Sequence, residues 1–256
     1  MKNIIPPLRI SLLTLPCLLA LGSPLASAAG VIEPFAYANG ALTTVSGGAW
    51  NFWEPGAGDA TVQNGAMRFD GTTDVIRTFP AVLTAPGQTA TISFTINVNI
   101  ADTSEGYAMD FLPSSAPFSA NTNYGNQFSL GFDYEAFANQ GDGRASIDVA
   151  EGGSASPFER LGSMTEGATH SIRVELARGA ANTNYSLFVD ESFLHSGTFV
   201  LNDPRGMNAI ELEQSGASTP SATGFAIVDN LIVTPEPAGC ALLALGCLAL
   251  GANRRR

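Results

Sequence analysis

Hydrophobic and polar residues alternate along most of residues 30–234. The clearest case is TATISFTINVNI (89–100), in which every second residue is apolar, and the same period of two runs through 128–137 and 170–179. Further alternating segments lie at 60–71, 74–79, 184–201, 208–214 and 224–234. Because successive side chains of a strand point to opposite faces, this pattern predicts antiparallel strands that each bury one face.

Turn-forming pairs such as Asp70-Gly71, Pro86-Gly87 and Gly152-Gly153 separate these segments. No convincing helical apolar stripe occurs outside the two ends of the chain. About ten to twelve half-apolar strands are most simply buried by packing two sheets face to face. The sequence therefore predicts an all-β fold, an antiparallel two-sheet β-sandwich or jelly roll.

The N-terminal segment, residues 1–29, has the layout of a secretory signal peptide. Lys2 and Arg9 precede an apolar run that ends at Leu21, and SPLASAA follows. The apolar run is too short to span a bilayer, which takes about 20 residues. We expect an N-terminal signal helix, cleaved after Ala28 or Ala29.

The C-terminal segment, residues 235–256, reads PEPAGCALLALGCLALGANRRR. As a helix, its 15 uncharged residues would reach roughly 22 Å, which is short of the ~30 Å hydrocarbon core. The alternatives are a short transmembrane anchor, with the terminal arginines in the cytoplasm, and a buried helix of the domain. The buried helix is disfavoured because it would end in three arginines and be separated from the last strand by two prolines.

The order of these three parts resembles the PEP-CTERM sorting signal of Gram-negative bacteria. In this chain the three parts are Pro235-Glu236-Pro237, a C-terminal hydrophobic helix, and the cluster of Arg254, Arg255 and Arg256. The resemblance implies export and transient inner-membrane association through the helix. It also implies processing by an exosortase, a membrane-embedded cysteine peptidase-like enzyme, and a final location at the cell surface or in the exopolysaccharide matrix.

The body of the chain, residues 30–234, also resembles a known family. Its opening EPFAYANGALTTVSGGAW, its long alternating strands and its final GFAIVDNLIVTPEP are similar to the concanavalin A-like lectin/glucanase jelly roll in its laminin-G-like form. The resemblance implies that the first and last strands lie next to each other.

Charge and cysteine content exclude several functions. Between Glu33 and Glu236 the chain carries seven arginines and no lysine against 23 acidic residues, which gives a net charge of −16. Such a surface repels phosphate backbones, so we expect no nucleic-acid partner. The three cysteines, Cys17, Cys240 and Cys247, all lie in the end segments, so the body has neither a disulfide nor a thiolate metal site.

The sequence predicts no catalytic residues. Jelly-roll glucanases resemble one another in a Glu-x-Asp-x-Glu strand, which is absent here. The nearest pairs, Asp133 with Glu135, Glu211 with Glu213 and Asp148 with Glu151, lack the third carboxylate. His170 and His195 are the only histidines, and no nucleophile elbow accompanies them. Two carboxylates about 5–9 Å apart in an open groove would restore the hydrolase hypothesis.

No cofactor or metal site is predicted, although three acidic stretches are compatible with calcium. They are the presumed loops 101–110 and 139–148, and Asp229-Asn230 in the last strand. None has the spacing of an EF-hand, so ordinary acidic turns are the alternative.

Aromatic residues offer a weak signal for sugar stacking. Alternation in AWNFWEPG places Trp50 and Phe52 towards the core and Trp53 outwards, where Trp53 would form a platform beside Tyr107 or Tyr124. Taken together, these features predict a non-enzymatic, exported protein of the cell surface or matrix that acts as a structural or adhesive component associated with exopolysaccharide. A lectin-like carbohydrate-binding module is the alternative, and a glycoside hydrolase is a less favoured one.

Overall fold

The computed structural model describes eight stretches of the chain: residues 30–53, 58–69, 73–100, 106–113, 127–132, 144–151, 159–215 and 224–236. The predicted N-terminal signal helix and the C-terminal hydrophobic helix lie outside these residues. Within them the only helix is α1 (Leu42–Val45), and none is long and apolar enough to cross a membrane.

Sixteen antiparallel strands form the described part of the chain, more than the ten to twelve predicted. In chain order they are β1 (Val31–Glu33), β2 (Gly40–Ala41), β3 (Asn51–Phe52), β4 (Thr61–Gln63), β5 (Ala66–Phe69), β6 (Asp74–Val82), β7 (Thr89–Asn99), β8 (Gly106–Leu112), β9 (Phe128–Phe132), β10 (Arg144–Ala150), β11 (Glu159–Thr165), β12 (Thr169–Arg178), β13 (Asn182–Val189), β14 (Ser192–Val200), β15 (Met207–Ser215) and β16 (Phe225–Glu236).

The strands form two sheets that pack face to face. The front sheet has seven strands in the order β11-β10-β9-β8-β15-β6-β3. The back sheet has nine, in the order β14-β13-β12-β7-β16-β5-β4-β2, with β1 also paired to β16. The predicted two-sheet antiparallel sandwich is confirmed. So is the expected proximity of the first and last strands, since Val31 lies opposite Val233.

The core lies between the sheets and is rich in aromatic side chains. Phe69 of the back sheet meets Tyr107 of the front sheet edge to face, with ring centroids 5.2 Å apart. Phe94 and Phe132 meet in the same way at 6.3 Å. Such pairs add about 0.5–1.5 kcal/mol to the stabilisation from buried area. The side chains of β8 that face this core are Tyr107, Met109 and Phe111, so the alternate residues of the strand face outwards.

The predicted strand segments do not include β8 and β10, two strands of the front sheet that are buried on both faces. All seven residues of β8 are buried, as are all but the first of β10. In GYAMDFL only Asp110 is strongly polar among the outward positions, so the half-polar alternation that marks β7 is weak there. RASIDVA does alternate, but it follows the acidic, glycine-containing stretch that was interpreted as a loop. Residues 106–110 and 144–148, which the sequence analysis assigned to acidic loops, are thus in strands.

A buried ion pair connects the two sheets near the N-terminus. Glu33 of β1 pairs with Arg77 of β6. Its carboxylate also accepts hydrogen bonds from the backbone N–H of Phe35 (2.8 Å), the hydroxyl of Tyr37 (2.8 Å) and Trp50 Nε1 (3.2 Å). The buried charge of Glu33 is therefore fully solvated by protein groups, as a charge in a core must be.

We expect Arg77→Met to lower the free energy of unfolding by about 3 kcal/mol or more, since it leaves Glu33 buried without a cationic partner. The control is Arg173→Met, because the partners of Arg173, Glu175 and Glu191, are exposed, and exposed pairs contribute about 1 kcal/mol or less. Urea unfolding of the two variants measures the difference. Equal losses would show that the Glu33–Arg77 pair is not a structural centre.

Candidate functional site

A group of carboxylates lies on the outer face of the front sheet, the face turned away from the core. Asp110 of β8 stands directly opposite Glu211 of β15, and Glu213 stands opposite Asp74 of β6. Register alone brings these residues together, because directly opposite side chains on one face of a sheet are about 5 Å apart. One oxygen from each of Asp110, Glu211 and Glu213 lies within 4.8 Å of the others. We call these three residues the carboxylate cluster.

Two members of the cluster are almost completely removed from solvent. Asp110 is 2% exposed and Glu211 is 3% exposed, whereas Glu213 and Asp74 are half-buried. Asp110 Oδ1 and Glu211 Oε2 have no hydrogen-bond partner among the described residues. A buried polar atom without a partner costs about 1–3 kcal/mol, and more when it is charged, so these two oxygens need an explanation.

Burial sets the protonation of both acids. The pKa of Asp110 rises from 3.8 to about 6. Burial is the main cause and the charge of Asp74 adds to the rise, whereas a hydrogen bond with Ser129 opposes it. Burial also raises the pKa of Glu211 well above 4.5, and the charges of Asp110 and Asp74 act in the same direction. Both acids therefore keep their protons to a higher pH than exposed carboxyl groups do.

The polar face continues across β9 and β10. Ser129 is opposite Asp110, and its hydroxyl accepts a hydrogen bond from Gln127 Nε2 (3.2 Å). On β10, the hydroxyl of Ser146 donates to Asp148 Oδ2 (2.7 Å). The outer face thus carries a row of acceptors and hydroxyls at fixed register positions.

An apolar group adjoins the cluster and contains a predicted site residue. Trp53 packs with Ile76, Leu112 and Ala209, and Ile76 stands opposite Glu211. Trp53 does point to the outer face, but the expectation that it is exposed is wrong, since only 5% of it is accessible. Phe52, which was expected in the core, is instead the exposed aromatic residue of the AWNFW segment, at 44%.

The structure does not bring the predicted stacking residues together on a surface. Tyr107 is fully buried and faces the core against Phe69. Its place in β8 was hidden by the weak alternation of polar and apolar residues in that strand. Tyr124 lies outside the described residues. Neither Trp53 nor Tyr107 presents an open ring face to a sugar.

Part of the sorting motif is in the sandwich. β16 continues two residues beyond the predicted boundary at 234, with Pro235 opposite Ala90 and Glu236 opposite Thr89. The hydroxyl of Thr91 donates to Glu236 Oε1 (3.0 Å). Pro237, Arg254, Arg255 and Arg256 lie outside the described residues.

The other candidate residues occupy structural positions where they are described. His170 Nδ1 contacts Asp190 Oδ2 (2.7 Å) and its Nε2 contacts the Thr165 carbonyl (3.1 Å), so neither ring nitrogen is left for a nucleophile. Asp229 accepts a hydrogen bond from the N–H of Asn230 (2.7 Å) at an irregularity of β16. Residues 133–143, and with them Asp133 and Glu135, are outside the described residues.

A second polar recess lies on the outer face of the back sheet. It has a volume of about 430 Å³, and its lining includes Thr89, Thr91, Glu175, Asn184 and Glu236. It contains hydroxyl, amide and carboxylate groups, and it is the alternative location for a polar ligand.

Sequence reasoning identified Glu211 and Glu213 as a pair on one strand face but missed the third carboxylate. The structure supplies it from β8, about a hundred residues earlier in the chain. The signal that could have found it is the lone acid of GYAMDFL, a charged residue inside an otherwise apolar strand-length segment.

No family model matches the chain, and no curated protein matches it in sequence. An endo-1,3-β-glucanase from Streptomyces sioyaensis is similar in structure, with a TM-score of 0.55 and 14% identity over 80% of this chain and 95% of that one. The carbohydrate recognition domain of Emp47p has a TM-score of 0.53 and 10% identity over 82% of this chain and 96% of that one. A sialidase matches 79% of this chain (14% identity, TM-score 0.47), and this chain spans only 19% of the sialidase.

The glucanase and the recognition domain have the concanavalin A-like lectin/glucanase jelly-roll fold, which confirms that fold for the described sandwich. At these identities the likeness concerns the fold alone.

We expect Asp110→Asn to remove a loss of stability that the wild type suffers as pH rises. Because folding raises the pKa of Asp110, its contribution is fully present below the ordinary value of 3.8 and is lost as pH rises through about 6. Between about pH 4 and pH 8, the wild type should lose about 2–3 kcal/mol of unfolding free energy relative to the variant. Urea unfolding in a chelating buffer measures this.

The control is Glu166→Gln in the turn between β11 and β12, which should keep the wild-type pH dependence. If Asp110→Asn also kept it, Asp110 would not be protonated by burial.

Proposed function

We propose that this chain is an exported, non-enzymatic carbohydrate-binding β-sandwich that recognises its ligand through the outer face of the front sheet. The single observation that carries the proposal is the convergence of Asp110, Glu211, Glu213 and Asp74 on that face. Carboxylate oxygens accept hydrogen bonds from sugar hydroxyls, and a few convergent polar groups beside an apolar surface are typical of small-ligand sites.

The fold supports this proposal in a general way. A carbohydrate recognition domain and an endo-1,3-β-glucanase both have it. In the present chain, half-buried Glu213 and Asp74 are the members of the face that a ligand could reach first, and the buried Trp53 and Ile76 pack beside them.

Glycoside hydrolysis is the second candidate, and one observation favours it. The oxygens of the carboxylate cluster lie within 4.8 Å of one another, no farther apart than the carboxyl groups of retaining glycosidases, which are about 5–5.5 Å apart. Burial argues against it, since an acid and a nucleophile must both reach the scissile bond and Asp110 and Glu211 are 2% and 3% exposed. Release of reducing ends from a bound glycan would favour hydrolysis over binding.

Export and sorting form the second part of the proposal. It rests on the signal-like residues 1–29 and on the PEP-CTERM-like residues 235–256. In this view an exosortase removes the tail and the sandwich remains at the cell surface or in the exopolysaccharide matrix of a Gram-negative host. Pro235 and Glu236 pair with β7, and the described part of β16 ends at Glu236.

Glu213→Gln should weaken glycan binding about tenfold or more, because it removes a charged acceptor worth about 1.5–3 kcal/mol per hydrogen bond. The full chain is tested on an array of bacterial exopolysaccharide fragments and a soluble β-1,3-glucan, and affinities are measured by calorimetry. The matched variant is Glu175→Gln in the recess of the back sheet, which should bind like the wild type.

Loss of binding in Glu175→Gln alone would move the site to the back sheet. Failure of the wild type to retain any glycan would contradict the function itself.

Truncation after Glu236 tests the sorting proposal and keeps β16 whole. We expect the wild-type protein recovered from its host to lack the terminal arginines by intact mass, and the truncated protein to be exported without surface retention. Replacing Arg254, Arg255 and Arg256 by lysine keeps the charge and serves as the control. Recovery of mature wild-type protein with its arginines attached would refute processing.

A further inference from the structure

We propose that the carboxylate cluster is a calcium-binding site. Asp110 would supply ligands from β8, and Glu211 and Glu213 would supply them from β15. The inference goes beyond the proposed function and does not depend on glycan binding.

The spacing of the oxygens suits a single ion. Calcium binds oxygens at about 2.3–2.6 Å, so two ligands of one ion are at most about 5 Å apart. The three carboxylates each offer an oxygen within 4.8 Å of the others. Adjacent strands hold all three at fixed register positions, Asp110 directly opposite Glu211 and Glu213 two residues farther along β15.

A second observation is independent of this spacing. Asp110 Oδ1 and Glu211 Oε2 are buried and have no hydrogen-bond partner in the described part of the chain. The arginine of the neighbouring strand β6, Arg77, cannot serve them because it pairs with Glu33. Two acidic side chains that face each other, withdrawn from water and without a described cationic partner, point to a bound cation.

The donor set selects the class of ion. All the ligands are carboxylate oxygens, which suit hard cations, and neither histidine nor cysteine contributes to the cluster. Asp and Glu carboxylates can bind calcium through one oxygen or two, and calcium accepts the irregular set that results. Magnesium demands near-ideal octahedral geometry and keeps its waters, which favours calcium for a largely buried site.

The test uses the full chain, stripped with a chelator and titrated with CaCl2 in calorimetry and thermal unfolding. We expect saturable binding in the range of extracellular modules, about 10⁻⁴–10⁻³ M, and a rise in Tm. Glu211→Gln and Glu213→Gln should each weaken the affinity about tenfold or more. Glu166→Gln, in the turn after β11, controls for non-specific attraction to this acidic protein and should bind like the wild type.

Half-buried Glu213 keeps the test valid if Glu211→Gln does not fold. No heat and no change of Tm in folded wild type up to about 10 mM CaCl2 would overturn the proposal. Wild-type affinity in folded Glu213→Gln would overturn it as well, and an equal response to MgCl2 would overturn the assignment to calcium. A wild type that binds CaCl2 but no glycan would contradict only the proposed function.

Discussion

The front sheet is buried on both of its faces at β8 and β9, and the rest of the site depends on this constraint. A strand that is half-exposed can direct its charged residues to water, but a strand covered on both sides cannot. Asp110 and Glu211 therefore stand opposite each other where solvation is poor and like charges repel. The sheet can accommodate them with a proton, with a cation or with hydrogen-bond donors of a ligand. A sandwich whose outer face carries no buried acids needs none of these three.

Protons and calcium compete for the same oxygens. Burial favours the neutral forms of Asp110 and Glu211, whereas a divalent ion favours the charged forms. The affinity for calcium and its pH dependence would then follow from the same equilibrium. Both would depend on how well the outer face excludes water. Trp53 and Ile76 contribute to that exclusion, which gives the buried tryptophan a role different from the sugar stacking first expected of it.

The fold could be predicted from the sequence where polar and apolar residues alternate over a long segment, and less well where the alternation is short or weak. β7 and β12 alternate cleanly and were predicted almost to the residue, and the β13–β14 hairpin was located by its Asp190-Glu191 turn. β8 and β10 were not recognised, so Asp110 and Asp148 were assigned to loops. The cluster itself depends on the register between β8 and β15, which no local pattern contains. Trp53 was misjudged because it follows the two-residue strand β3, and alternation does not report the burial of a residue beyond a strand end.

The position of β16 connects recognition with sorting. This last strand runs through the interior of the back sheet between β7 and β5, and the chain leaves it at Glu236. The carboxylates lie on the opposite sheet, on the face turned away from the core. Under the proposed function, the attachment point of the tail is thus on the back sheet, whereas the proposed binding face is on the front sheet. β16 also pairs with β1, which carries Glu33 of the ion pair that joins the two sheets. The strand that would carry the sorting tail and the face proposed to bind a ligand therefore lie on different sheets that share one core.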